Sequence, residues 1–88
     1  MNKTVLITGA SSGLGKDFAS LYAEKGYDLV LTARRESNLK SIASDLTSKY
    51  NISAAIIPAD LGEPQSPYKI FNFCEESNIK IDILINNA

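Results

Sequence analysis

Histidine and tryptophan are absent from this 88-residue chain, and cysteine occurs once, as Cys74. Without histidine, any mechanism that needs an imidazole base is excluded, and metal sites of the usual Cys/His kind cannot be assembled. A single cysteine forms no internal disulfide. Charge of one sign is lacking too: 9 Lys and Arg against 10 Asp and Glu leave a formal net charge of −1, far from the excess that marks a nucleic-acid binder. With 44% hydrophobic and 22% charged residues, the composition does not support disorder. Long hydrophobic runs are missing as well. Val5-Leu6-Ile7, Ala54-Ala55-Ile56-Ile57 and Ile83-Leu84-Ile85 are strand-sized, too short for a signal core or a membrane span. The expectation is a soluble protein of a reducing compartment, most simply the cytosol, with no nucleic-acid or membrane partner. At 9.5 kDa, surface scaling gives about 5,000 Å² folded against about 13,800 Å² unfolded, enough for one small core but not two lobes around a cleft.

What is present alternates between two periods. Val5-Leu6-Ile7, Leu29-Val30-Leu31, Ala55-Ile56-Ile57 and Ile83-Leu84-Ile85 are continuous apolar runs bounded by turn residues, as in parallel strands covered on both faces. Helical spacing lies between them. Leu14, Phe18, Leu21 and Tyr22 share one face, with Gly26 at the C-cap position; Leu39, Ile42, Ala43, Leu46 and Tyr50 form a second stripe. Ser66-Pro67 reads as an N-cap followed by the first helical residue, with Ile70, Phe71 and Cys74 as the apolar face behind it. The pattern predicts β-α-β-α-β-α-β with strands near 3–8, 28–32, 53–58 and 81–86. Right-handed crossovers then give a doubly wound parallel α/β sheet of order 3-2-1-4. No repeat, low-complexity tract or linker divides residues 1–88, so they read as a single domain.

The segment Thr8-Gly9-Ala10-Ser11-Ser12-Gly13-Leu14-Gly15 falls between the first strand and the first helix. Glycines there let the backbone turn sharply and approach a ligand, and the helix start offers free amides and a positive dipole end to a pyrophosphate. Ser11 and Ser12 add hydroxyls. A tight turn with no ligand is the plainer alternative. Two other phosphate loops fail on spacing. A Walker A loop has four residues between its first glycine and Gly-Lys-Ser/Thr; here five separate Gly9 from Gly15-Lys16, and Asp17 stands where a hydroxyl is needed. Gly-x-Gly-x-x-Gly fails because position 11 is serine.

The spacing that remains, Thr-Gly-x-x-x-Gly-x-Gly, resembles the cofactor loop of the short-chain dehydrogenases/reductases. Three further segments resemble that family in the same order: Thr32-Ala33-Arg34-Arg35, Asp60-Leu61, and Asn86-Asn87-Ala88, the last like an Asn-Asn-Ala-Gly motif one residue short. The likeness spans the whole chain and is nearest to the ketoacyl- and hydroxysteroid-type reductases. It implies the first part of a Rossmann-type sheet. It also implies nicotinamide-dinucleotide contacts at Gly9, Ser11, Ser12, Gly13, Leu14, Gly15, Arg34, Arg35, Asp60, Leu61, Asn87 and Ala88. Asp60 would accept from the adenine amine and Leu61 would pack near the ring; for Asp60 a plain turn or N-cap role stands beside that. Leu14 would act through its backbone, with its side chain equally at home in a core. Asn86 reads as a tie between strands.

Cofactor choice follows from position 33. NAD-preferring enzymes place a carboxylate at the end of the second strand for the ribose 2′-hydroxyl. Ala33 offers none, and Arg34 and Arg35 suit a 2′-phosphate, so NADP(H) is expected over NAD. A solvated pair facing acids of the next helix is the alternative.

A catalytic residue is not identified. The family's acid is a Tyr-x-x-x-Lys tyrosine, whereas Tyr22, Tyr27, Tyr50 and Tyr68 are followed four residues on by Gly26, Leu31, Ala54 and Asn72. The chain stops at the tip of the fourth strand, leaving Ile81, Ile83 and Ile85 along an open edge. A truncated product, an excised segment or the ordered part of a longer protein is therefore expected. Three functions follow: the NADP(H)-binding part of a reductase that interconverts a carbonyl and an alcohol when intact, a non-catalytic nucleotide-binding module, or a strand-pairing element that forms homo-oligomers.

Overall fold

A computed structural model describes residues 2–11 and 13–87. The elements are β1 (Thr4–Thr8), α1 (Gly13–Glu24), β2 (Asp28–Ala33), α2 (Glu36–Lys49), β3 (Ala54–Pro58), α3 (Ser66–Glu76) and β4 (Ile83–Ile85). All strand pairs are parallel, in the order β3-β2-β1-β4. The expected alternation and strand order are both observed.

The sheet is buried on two sides, as its continuous apolar runs require. Val5, Ile7, Leu29 and Leu31 pack with Leu39, Ile42 and Leu46 of α2 and with Ala19 and Ala23 of α1. Leu6, Val30 and Ile57 face the other way, against Ala59, just past β3, and Ile70 of α3. Cys74 is buried beside Ile70 on α3, where desolvation, and secondarily the charge of Glu75, pushes its thiol pKa up.

Three local expectations are corrected. In α1 the large apolar residues are not the buried face: Leu14 is 59% and Leu21 45% exposed, and Phe18 and Tyr22 are half-buried. Gly15, Ala19 and Ala23, at i, i+4 and i+8, are buried instead, because small side chains let the helix axis approach the sheet. In α3 the N-cap is Gln65 rather than Ser66, and Pro67 sits one place further in. Ser66 is itself the first helical residue, and its hydroxyl donates to the Asp60 carbonyl, tying α3 to the loop after β3. Finally, β4 is shorter than residues 81–86. Asp82 clamps the approach to β1, its amide donating to the Thr4 carbonyl and its carboxylate accepting from the Thr4 amide, both at 2.9 Å.

The turn from α1 into β2 is a Schellman closure. Gly26 has φ +89; its amide donates to Ala23 and that of Tyr27 to Tyr22, each at 3.0 Å. The Tyr22 and Tyr27 rings close the motif edge to face, with centroids 5.1 Å apart.

Candidate dinucleotide site

The carboxyl ends of β1, β2 and β3 meet in a groove of about 660 Å³. Backbone bonds fix their spacing: the Ala10 amide donates to Thr32 at 3.1 Å and the Ala59 amide to Ala33 at 2.9 Å. Gly9, Ser11, Arg34, Arg35, Asp60, Leu61 and Asn87 line this groove together. Gly13, Leu14 and Gly15 are not part of its wall; they form the first turn of α1, next to Gly9. Ser12 and Ala88 lie outside the described residues.

The glycine loop is shaped by contact with Asn87, just past the end of β4. Gly9 has φ +61, and a Cβ there would stand 2.9 Å from the Asn87 carbonyl oxygen. A Cβ on Gly15 would run into the Gly9 carbonyl and lie 2.7 Å from Asn87 Nδ2. Gly13, by contrast, faces open space. No acid occupies the first turn of α1, so its positive end is left for an anion.

Asn86 ties strands, as expected: its Oδ1 accepts from the Thr8 hydroxyl at 3.1 Å. Asn87 also holds the frame, its amide donating to Thr8 Oγ1 at 2.8 Å and its Nδ2 reaching the Gly9 carbonyl at 3.4 Å. Asp60 accepts from the Gly62 amide through Oδ1 at 2.9 Å. One carboxylate oxygen therefore makes an Asx turn while the residue still lines the groove. Glu36, the acid nearest the arginines in sequence, pairs with Lys40 at 3.0 Å instead, and Arg34 and Arg35 are exposed.

Sequence reasoning missed Asn38, Ala59 and Gly62 and gave Thr32 no role at the site, although all four line the groove. For Asn38 a signal existed: three residues beyond Arg35, in the first turn of α2, it shares that side of the helix. Thr32 carries a buried hydroxyl with no hydrogen-bond partner among the described residues. A second depression of about 1060 Å³ runs along α3 past Tyr68, Lys69 and Phe73, and it shares Arg34, Ala59 and Asp60 with the first.

A loop open to phosphate and two exposed guanidiniums supply donors, and a carboxylate supplies an acceptor, on one groove suited to a phosphorylated dinucleotide. Residues 3–88 match the family described as short chain dehydrogenase. The chain belongs to that family. A very-long-chain 3-oxoacyl-CoA reductase of Candida glabrata is 43% identical over 85 residues, covering 94% of this chain and 24% of that protein. A short-chain dehydrogenase of Sphingobium yanoikuyae, solved in complex with NADPH, superposes with TM-score 0.88 at 41% identity, covering 98% of this chain and 34% of that one. L-sorbose reductase of Gluconobacter frateurii, solved with NADPH and L-sorbose, gives 0.93 at 32% identity, with coverages of 99% and 33%. The chain thus spans a quarter to a third of the length of these family members.

Proposed function

We propose that residues 1–88 are a partial dinucleotide-binding domain that holds NADP(H) within a short-chain reductase interconverting a carbonyl and an alcohol. The end of β2 carries this reading. Ala33 supplies no carboxylate to a ribose 2′-hydroxyl, and beside it Arg34 and Arg35 line the groove without engaging Glu36. The similar proteins solved with NADPH support it. Gly9, Ser11 and the α1 N-terminus would hold the pyrophosphate, the arginines the 2′-phosphate, and Asp60 with Leu61 the adenine. Ser12 and Ala88 complete the set by resemblance. The nicotinamide, when bound, supplies or accepts the hydride. The residues here bind and orient it; none of the four tyrosines is set four residues before a lysine, so this segment alone is expected not to turn over. Among the described residues no helix is long and apolar enough to cross a membrane, and the single buried cysteine suits the cytosol.

The test is binding of NADPH and NADH to the Arg34→Ala variant. Losing a charge-assisted hydrogen bond should weaken NADPH by roughly 10- to 100-fold and leave NADH nearly unchanged. Equal loss for both would overturn the assignment. A second reading, assembly through the edge of β4, is favoured by Leu84, which is 61% exposed; a clean monomer by light scattering would argue against it.

A further inference from the structure

Thr8 and Thr32 are register partners on neighbouring strands. The sheet treats them differently. The Thr8 hydroxyl donates to Asn86 Oδ1 and accepts from the Asn87 amide. The Thr32 hydroxyl, on a residue with 0% exposure, has no partner among the described residues. Its backbone cannot shift to find one, because the Thr32 carbonyl is held by the Ala10 amide and β2 is paired on both sides. A buried unpaired hydroxyl lowers stability, and valine would fill the same volume without that cost.

Thr32 also forms part of the groove wall, between the Gly9 end and the Asp60 end. Its oxygen is closed even to water in the unliganded groove, so a ligand completes it by parting the wall between those two ends as it seats. The geometry points to Thr32 as an affinity-determining residue whose hydroxyl hydrogen-bonds the adenosine half of the dinucleotide. This rests on the dinucleotide reading above and adds to it a residue that carries no charge and no motif glycine. The hydroxyl serves as donor toward an adenosine acceptor atom, ribose oxygen or ring nitrogen, the adenine amine being left to the Asp60 carboxylate.

The experiment uses the intact protein with Thr32→Val and Thr32→Ser variants. Titration with 2′,5′-ADP, which carries the adenosine half alone, reads affinity, and thermal melting without ligand reads the cost of the orphan hydroxyl. The valine variant should bind about 3- to 10-fold more weakly, yet melt at the same temperature or higher when unliganded. The serine variant should bind within about twofold of wild type. Unchanged binding by the valine variant would reduce Thr32 to a packing residue. A lower unliganded melting temperature, or failure to fold, would show that the hydroxyl was already partnered within the protein, and would overturn the inference equally. If the wild type itself binds neither NADPH nor 2′,5′-ADP, the dinucleotide reading falls and Thr32 with it. Wild-type binding alongside an indifferent valine variant removes Thr32 alone.

Discussion

Gly13 and Gly15 stand two residues apart at the start of α1 and are glycine for opposite reasons. Gly13 has φ +58 with nothing within 4 Å of an added Cβ; its constraint is conformational. Gly15 is helical and buried, and a Cβ there meets backbone, the Gly9 carbonyl, which cannot swing aside. Gly13→Ala should therefore cost about 1 kcal/mol, the left-handed backbone penalty, whereas Gly15→Ala should cost about 3 kcal/mol or more through overpacking against fixed atoms. Urea unfolding of the two variants checks the ranking, and equal costs would mean that Gly15 is not pressed against Gly9. The Gly-x-x-x-Gly-x-Gly spacing made these positions legible in the sequence. The partner that fixes one wall was not: Asn87 lies 78 residues from Gly9 along the chain, and only the sheet order brings them together. The turn role of Asp60 was legible too, and its carboxylate accepts from the Gly62 amide. Thr32 was visible only as part of a signature, because no local pattern reveals whether a strand hydroxyl is partnered.

At the scale of elements, strands were easier to read than helix faces. A continuous apolar run of three or four residues between turn residues is too short for a helix and suits a strand covered on both faces, and each such run lies in a strand. In α2 the stripe of Leu39, Ile42 and Leu46 is the buried face, as its period indicates. In α1 the same period was half right: Phe18 and Tyr22 flank the core, while Leu14 and Leu21 turn outward and Gly15, Ala19 and Ala23 take the buried line. Periodicity ranks residues by size and apolarity, but the sheet-facing side is set by how close the helix comes, and the Gly9–Gly15 approach draws its first turn inward. The consequence is an inverted mutational ranking. Leu21→Ala, at a side chain 45% exposed, should cost under about 1 kcal/mol beyond its partial packing. Ala19→Leu, at a position with 0% exposure, should cost about 1–3 kcal/mol or more. Thermal or urea melts of the pair decide it: a larger loss for Leu21→Ala would restore the face read from sequence.

Across the whole molecule the two edges of the sheet differ. The β3 edge ends in Pro58, which has no amide to offer, and Lys69 Nζ donates to the Pro58 carbonyl at 2.9 Å. Proline and lysine are the usual protections of an edge strand. The β4 edge carries neither within Ile83–Ile85, and Leu84, the register partner of Leu6, projects from it 61% exposed on the α3 side of the sheet. An unprotected parallel edge beside uncovered leucine favours pairing with another strand. The 88-residue chain at tens of micromolar should accordingly sediment as a mixture of associated species. Leu84→Lys should shift it toward monomer, because a lysine there opposes both the apolar contact and the edge pairing. The substitution lies away from the groove wall, so 2′,5′-ADP affinity should stay within about twofold of wild type, at most a few tenths of a kcal/mol. Sedimentation velocity with parallel titrations separates the two readouts. Association that survives Leu84→Lys unchanged would place the contact elsewhere, with the outward Leu14 and Leu21 stripe of α1 as the next surface to charge.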